Sequence, residues 1–192
     1  LRPFSGVTGS SPGGIVTGPR VGFWLYLVTD GVPDPRAALV SPMESRLTAA
    51  LSAVPQGMVA VQLRAKNMDG GPLFAAAERL RQLTRRFGAP FFVNDRVDVA
   101  LAVGADGVHL PQAGLPVKAA RRLCGARLSI GVSTHSIPEA RMAVAGGADF
   151  VTYGPVWPTP SSRTCCTRGL VIRAGSGAIG LSVGALHDVN IS

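Results

Sequence analysis

From residue 23 onward the sequence alternates between two textures, and few folds accept that alternation. Apolar runs occupy Phe23–Thr29, Met58–Leu63, Pro90–Val93, Gly107–Leu110, Leu128–Val132 and Phe150–Tyr153. Helix-like stretches lie between them, at 43–53, 71–87, 95–103, 115–123 and 136–145. The apolar runs are nearly continuous, without polar alternation, as strands buried on both faces are. Strands of that kind alternating with helices build βαβ units and a parallel sheet.

Helix starts and stops carry their own signals. Ser41-Pro42 precedes the first helical stretch, with Glu44 three residues after Ser41, a capping-box pattern. Ser136-Ile137-Pro138-Glu139 repeats that logic before the fifth. Gly88 and Gly104 fall just past helix ends, where a left-handed residue is wanted. The segment Ala102–Val108 is echoed by Ala145–Val151: each closes a helix, turns on glycine, passes Ala-Asp and launches a strand. Repetition of one β/α unit favours a barrel over an open doubly wound sheet, although an open sheet would use the same joint.

Six strands and five helices are legible by residue 153, and a full barrel needs eight of each. Residues 161–192 contain two stretches that compose as strands, Gly169–Arg173 and Ala178–Ala185, with no helix-length amphipathic segment between them. The expected fold is therefore α/β, a TIM (β/α)8-type barrel incomplete at its carboxyl end, with about six β/α units. Residues 1–20, rich in Gly, Ser and Pro, read as a disordered leader. Residues 21–163 read as the barrel domain, and 164–192 as an atypical tail.

Composition removes several function classes. With 46% hydrophobic and 16% charged residues among 192, the chain is globular in character. Its apolar runs are too short to span a bilayer, so no membrane partner is expected and a cytoplasmic location is the default. Cys124, Cys165 and Cys166 give neither a disulfide framework nor a metal spacing and read as incidental reduced thiols. The net charge of +8 raises nucleic acid as a partner. However, Arg79, Arg81, Arg85 and Arg86 cluster on one helix and Arg121 and Arg122 end another. Solvated helix faces and the helix dipole account for them. No aromatic residues interleave with these arginines, so nucleic acid is not expected. Composition does not set the oligomeric state.

In barrels of this kind reactive groups lie at the carboxyl ends of strands. The second strand ends Gln62-Leu63-Arg64-Ala65-Lys66, and period-two alternation sends Gln62, Arg64 and Lys66 to one side. Three donors, two of them cationic, suit phosphate or diphosphate, and polar groups inside an apolar run need partners. The third strand ends Asn94-Asp95-Arg96. Asp95 suits either the cap of the next helix or a Mg²⁺ ion beside a diphosphate. Asp98, one turn on, reads as a helix-face residue or a partner of Arg96. The fifth strand ends Ser133-Thr134-His135-Ser136, whose hydroxyls suit phosphate or a helix start. His109 and His135 read as hydrogen-bonded structural residues rather than bases. After the sixth strand, Thr159 and Ser161 suit a second phosphate or belong to a stiff Pro-rich loop.

These segments, in this order, resemble the thiamine phosphate synthase family, which shares its fold with a thiazole tautomerase. The likeness rests on Tyr26-Leu27-Val28-Thr29-Asp30, the Gln-Leu-Arg-Ala-Lys run at 62–66, and Asn94 to Ala100. It continues through Gly104–Leu110, Ile130–Ser136 and Gly147–Thr159, and spans residues 23–161. The resemblance implies a transferase of thiamine biosynthesis. Hydroxymethylpyrimidine diphosphate loses diphosphate, and the nitrogen of a thiazole phosphate attacks the resulting cation. It implies pyrimidine-diphosphate contacts from Gln62, Arg64, Lys66, Asn94 and Ser133, with Arg64 and Lys66 catalytic. It also implies Mg²⁺ on Asp95 and thiazole-phosphate contacts from Thr159 and Ser161.

Three departures accompany it. The family usually has Asp, a second metal ligand, where Gly114 stands. It has Lys where Ser162 stands, with Arg163 one step late. Its last two strands, including a Gly-Gly-Ile segment that cradles phosphate, have no counterpart in the tail from about Thr164, which reads as a truncation or a change of reading frame. The alternatives to the synthase are a tautomerase-like relative that binds thiazole phosphate and an inactive phosphate-binding fragment.

Overall fold

The computed structural model describes residues 22–29, 41–65, 68–154, 170–175, 178–180 and 185–188, the last three segments as backbone only. Six parallel strands come first: β1 (Leu25–Val28), β2 (Val59–Leu63), β3 (Phe91–Asn94), β4 (Gly107–Leu110), β5 (Ser129–Thr134) and β6 (Phe150–Tyr153). Five helices alternate with them: α1 (Pro42–Ser52), α2 (Gly70–Arg86), α3 (Val97–Ala102), α4 (Val117–Cys124) and α5 (Ile137–Ala145). Each strand pairs in parallel with the next, from β1–β2 to β5–β6. Six strands wound in sequence with helices make a curled part-barrel, the coarse form of the expected fold.

The tail adds strands but no further β/α unit among the described residues. β7 (Leu170–Gly175) runs antiparallel to β6, β8 (Ala178–Gly180) hairpins back on β7, and β9 (Ala185–Asp188) lies parallel to β1. β7 and β9 also meet at Leu170↔Ala185. A seventh strand of a (β/α)8 barrel would run parallel to the sixth, so the tail departs from that pattern as its composition suggests.

Period-two alternation divides the side chains into two cores. Facing the helices are Leu27, Val59, Val61, Leu63, Phe91, Val93, Val108, Leu110, Ile130, Val132 and Val151. The other strand face forms a separate cluster of Phe23, Tyr26, Val28, Ala60, Phe92 and Phe150. Its rings pack mostly edge to face, Tyr26 against Phe92 at 5.4 Å and Phe92 against Phe150 at 5.5 Å, the arrangement the ring quadrupoles favour. Two glycines make room for this plug. A Cβ on Gly107 would stand 2.2 Å from Phe92 Cε1, and one on Gly131 would stand 2.3 Å from Phe150 Cζ.

Local signals act largely as written. Ser41 and Glu44 form the full capping box on α1. At α5 half of it forms: Ser136 Oγ accepts from the Glu139 N–H, while the Glu139 carboxylate accepts from the His135 N–H. Gly88 and Gly104 adopt φ of 59° and 62°. Cys124 is buried in the outer core.

The reading of the arginines as solvated faces needs correction. Arg79 forks onto Glu44 at 2.5 and 2.9 Å, tying α2 to α1. Arg81 grips Asp106, and that carboxylate also accepts from the Phe91 N–H at 2.8 Å. Arg121 reaches Asp149, which accepts from the Ile130 N–H at 2.6 Å. The repeated Gly-Ala-Asp joint is thus one device used twice: an aspartate caps the edge of the preceding strand and is clamped by an arginine from a helix. Buried backbone donors need such acceptors, and sequence spacing does not show which ones they find. Arg85, Arg86 and Arg122 are exposed, as expected.

Candidate functional site

The alternation that points the aromatic plug inward at the amino ends of the strands points polar groups inward at the carboxyl ends. Val28 pairs with Gln62 across β1 and β2, Asn94 with His109 across β3 and β4, and Ser133 with Thr152 across β5 and β6. One rim therefore carries Gln62, Asn94, His109, Ser133 and Thr152.

Gln62 is 3% exposed, and its Nε2 donates to Asn94 Oδ1 at 2.9 Å. This bond fixes the orientation of both amides. Arg64 follows two residues later, half-buried. Its backbone N–H donates to the buried hydroxyl of Thr29 at 3.1 Å. Thr29 thus pins the turn out of β2 that carries the cation. Its positive charge reaches across the rim to His109.

Asp95 stands at the end of β3 with φ of 65°, the only described non-glycine residue in that region. Such a conformation costs energy and is held by context. The context is a hydrogen bond from the Asp95 N–H to the His109 carbonyl at 2.8 Å. Sequence left two roles for Asp95, and one falls away. Arg96 is the residue that precedes α3, and no side chain caps that helix. The carboxylate is exposed at the rim. Residue 114 is its neighbour: a Cβ on Gly114 would lie 2.9 Å from Asp95 Oδ1. Asp98, by contrast, is engaged by Arg96 at 2.6 and 2.8 Å.

His109 is a buried core residue, as the sequence suggested, and it organises the centre of the rim. Its Nε2 lies 2.9 Å from Ser133 Oγ and 3.4 Å from Thr152 Oγ1, and its Nδ1 lies 3.4 Å from the Tyr26 hydroxyl. Burial, helped by the Arg64 charge, pushes its pKa down to about 3, so the ring is neutral. His135 is exposed and hydrogen-bonds through Nδ1 to the Gly154 carbonyl, a structural role.

Of the residues singled out from sequence, Gln62, Arg64, Asn94, Asp95 and Ser133 are brought to one rim. Lys66, Thr159 and Ser161 lie outside the described residues, as do Ser162, Arg163, Cys165 and Cys166. Sequence reasoning missed Thr29, Tyr26 and Thr152 as supports of the rim. The available signal was their place as polar residues inside otherwise apolar strand runs. The rim can offer donors and a cation to an anion, and an exposed carboxylate beside it. Among the described residues no three His, Cys, Asp or Glu side chains converge. A hard divalent cation here fits Asp95 together with oxygens brought by an anionic ligand, a donor set such an ion accepts.

A family model described as thiamine monophosphate synthase matches residues 25–172. A Geobacter sulfurreducens protein named putative thiamine-phosphate synthase is 47% identical over 142 residues, covering 74% of this chain and 63% of the relative. The thiamine-phosphate synthase of Gloeobacter violaceus is 48% identical over 139 residues, covering 72% of this chain and 38% of the relative. Among solved structures, thiamine phosphate pyrophosphorylase from Pyrococcus furiosus superposes with a TM-score of 0.61 at 39% identity. That match covers 73% of this chain and 64% of that one. The matched region thus spans less than two thirds of the length of these relatives.

Proposed function

The chain belongs to the thiamine monophosphate synthase family, and on that premise we propose that it condenses hydroxymethylpyrimidine diphosphate with thiazole phosphate. The products are thiamine phosphate and diphosphate. The observation that carries this reading is the shared rim: the fixed Gln62–Asn94 pair, Arg64, Ser133 and Asp95 stand together at the carboxyl ends of β2, β3 and β5. In this reading Arg64 and Lys66 bind and stabilise the departing diphosphate. The locked amides of Gln62 and Asn94 orient the pyrimidine end, and the Ser133 hydroxyl contacts the diphosphate. Thr159 and Ser161 bind the thiazole phosphate. Residues 21–163 are the working unit.

The bond that breaks is the one between the pyrimidine methylene and the diphosphate oxygen. The bond that forms joins that methylene carbon to the thiazole nitrogen, and the electron pair leaves with diphosphate. Charge builds on the leaving group, so preorganised cations and donors are what lower the barrier. No side-chain nucleophile is needed, which agrees with a neutral, buried His109. Mg²⁺, when bound at Asp95, would supply further positive charge to the diphosphate.

Turnover with Mg²⁺ tests the proposal, with thiamine phosphate followed as its fluorescent oxidation product. Arg64→Ala is expected to lower kcat/KM about ten- to a hundredfold, since a charge-assisted contact contributes roughly 1.5–3 kcal/mol. Folded parent protein without product would overturn the reading.

A further inference from the structure

Tyr26 is fully buried, and its ring packs against those of Phe23, Phe92 and Phe150. Among the described residues its hydroxyl has one polar neighbour, His109 Nδ1 at 3.4 Å. A buried O–H left without an acceptor is costly, and aromatic walls offer none of comparable strength. The phenol proton therefore goes to Nδ1, which must then be the bare nitrogen. A neutral imidazole carries one proton, so it sits on Nε2. Nε2 faces Ser133 Oγ at 2.9 Å, with Thr152 Oγ1 farther away at 3.4 Å. The opposite tautomer would donate from Nδ1 to the phenol oxygen and leave the phenol proton without an acceptor among the described residues.

The direction of the chain of hydrogen bonds has a consequence at the rim. If Nε2–H donates to Ser133 Oγ, a lone pair of the serine is used and its own proton is released to point elsewhere. Ser133 is half-buried at the rim, and its hydroxyl has no other partner among the described residues. Were the imidazole the acceptor, the serine proton would be tied to it and the rim would present a lone pair, which repels an anion.

We propose that Tyr26 and His109 form a relay of positioning residues whose role is to hold Ser133 as a hydrogen-bond donor toward an anionic ligand at the rim. Tyr26 sets the tautomer, His109 donates to Ser133, and Ser133 donates to a diphosphate or phosphate oxygen. The aromatic plug thereby serves the site: it excludes any other acceptor for the phenol proton. Gly131 belongs to the same arrangement, because a Cβ there would come within 2.8 Å of His109 Nδ1 and occupy the approach of the phenol. The relay rests on the proposed anionic substrate for its use, but not for its existence.

Nitrogen NMR on protein labelled only at histidine reads the tautomer directly, since three histidines are present and His135→Gln and His187→Gln variants assign the rest. The expected result is a protonated Nε2 and a bare Nδ1 on His109, with the two forms mixing in Tyr26→Phe. Calorimetric binding of inorganic diphosphate with Mg²⁺ gives the second readout. Tyr26→Phe keeps the ring and is expected to weaken diphosphate binding about three- to tenfold, the worth of one hydrogen bond. The same substitution in a Ser133→Ala background is expected to cost nothing further. A protonated Nδ1 in the parent, or an equal loss in both backgrounds, overturns the relay. Parent protein that binds no diphosphate would count against the functional reading, while the nitrogen resonances still decide the tautomer.

Discussion

Gly107→Ala is the sharpest test of how the inner core is built. The added Cβ would stand 2.2 and 2.4 Å from Phe92 Cε1 and Cδ1, and 2.6 Å from the Ser129 carbonyl oxygen. Ordinary carbon contacts begin near 3.5 Å, so the ring would have to retreat by more than about 1 Å. It has nowhere to go, because Tyr26 and Phe150 hold it edge to face on two sides. The carbonyl is no freer, since Gly107 and Ser129 are opposed in the β4–β5 ladder. Overpacking a closed core costs about 1–3 kcal/mol, and two simultaneous clashes place this site at about 2–3. For a chain of this size the melting temperature should fall by roughly 4–12 °C in a thermal scan. Phe92→Leu in the same molecule removes the ring edge but leaves the carbonyl clash. The double variant should therefore recover part of the loss, with a coupling of about 1 kcal/mol. An unchanged melting temperature in Gly107→Ala would refute the reasoning, because it would mean that the plug and sheet adjust freely.

Three further outcomes follow from the same geometry. Asp149→Ala should cost about 1–3 kcal/mol by orphaning the buried Ile130 N–H, while Asp149→Asn, which keeps an acceptor oxygen, should cost less; denaturant unfolding of both variants measures the difference. His109 has its folded pKa pushed from 6.5 to about 3, so the unfolded chain takes up the proton first and stability falls as pH drops below 6.5. At pH 4 that loss is roughly 3 kcal/mol, and His109→Gln should flatten the acid limb of a stability-pH profile by a like amount. Gly114→Asp puts a carboxylate beside Asp95 and a Cβ 2.8 Å from Pro111 Cδ, so it should melt lower without metal and gain more than the parent when Mg²⁺ is added, read by thermal shift.

The helix and strand order was legible because burial on both strand faces leaves an unmistakable apolar texture, and the expected runs differ from β1–β6 and α1–α5 only at their ends. The rim was legible for a related reason: Gln62 and Arg64 are polar where the run around them is not. What escaped was every feature that depends on a partner distant in sequence. Gly107 and Gly131 carry no sequence signal of their own, and their reason emerges only when Phe92 and Phe150 are seen beside them. Arg81 and Arg121 read as solvated cations because nothing local reveals Asp106 and Asp149, 25 and 28 residues away. Even the echoed Ala-Asp joint was visible as a repeat without its reason, which is the strand N–H each aspartate accepts.

The two ends of the strands put buried and half-buried polar groups to opposite uses. At the amino ends, Asp106 and Asp149 are each matched by an arginine and a backbone N–H, so the carboxylates are spent inside the fold. Carboxylates engaged from two sides in this way lock strand to helix and leave little to offer a ligand. At the carboxyl ends the matching is deliberately unfinished. Gln62 gives one amide proton to Asn94 and keeps another, Asn94 keeps its own amide donors, and Ser133 has a single described neighbour. Each is oriented by one bond and retains capacity for a second. A rim of groups that are aimed but unspent binds an anion without first breaking internal hydrogen bonds, and that is the condition under which donors stabilise a leaving group most effectively. In the proposed reaction, the placement of Arg64 among these groups, rather than beside Asp106 or Asp149, is what would let the rim receive a departing diphosphate.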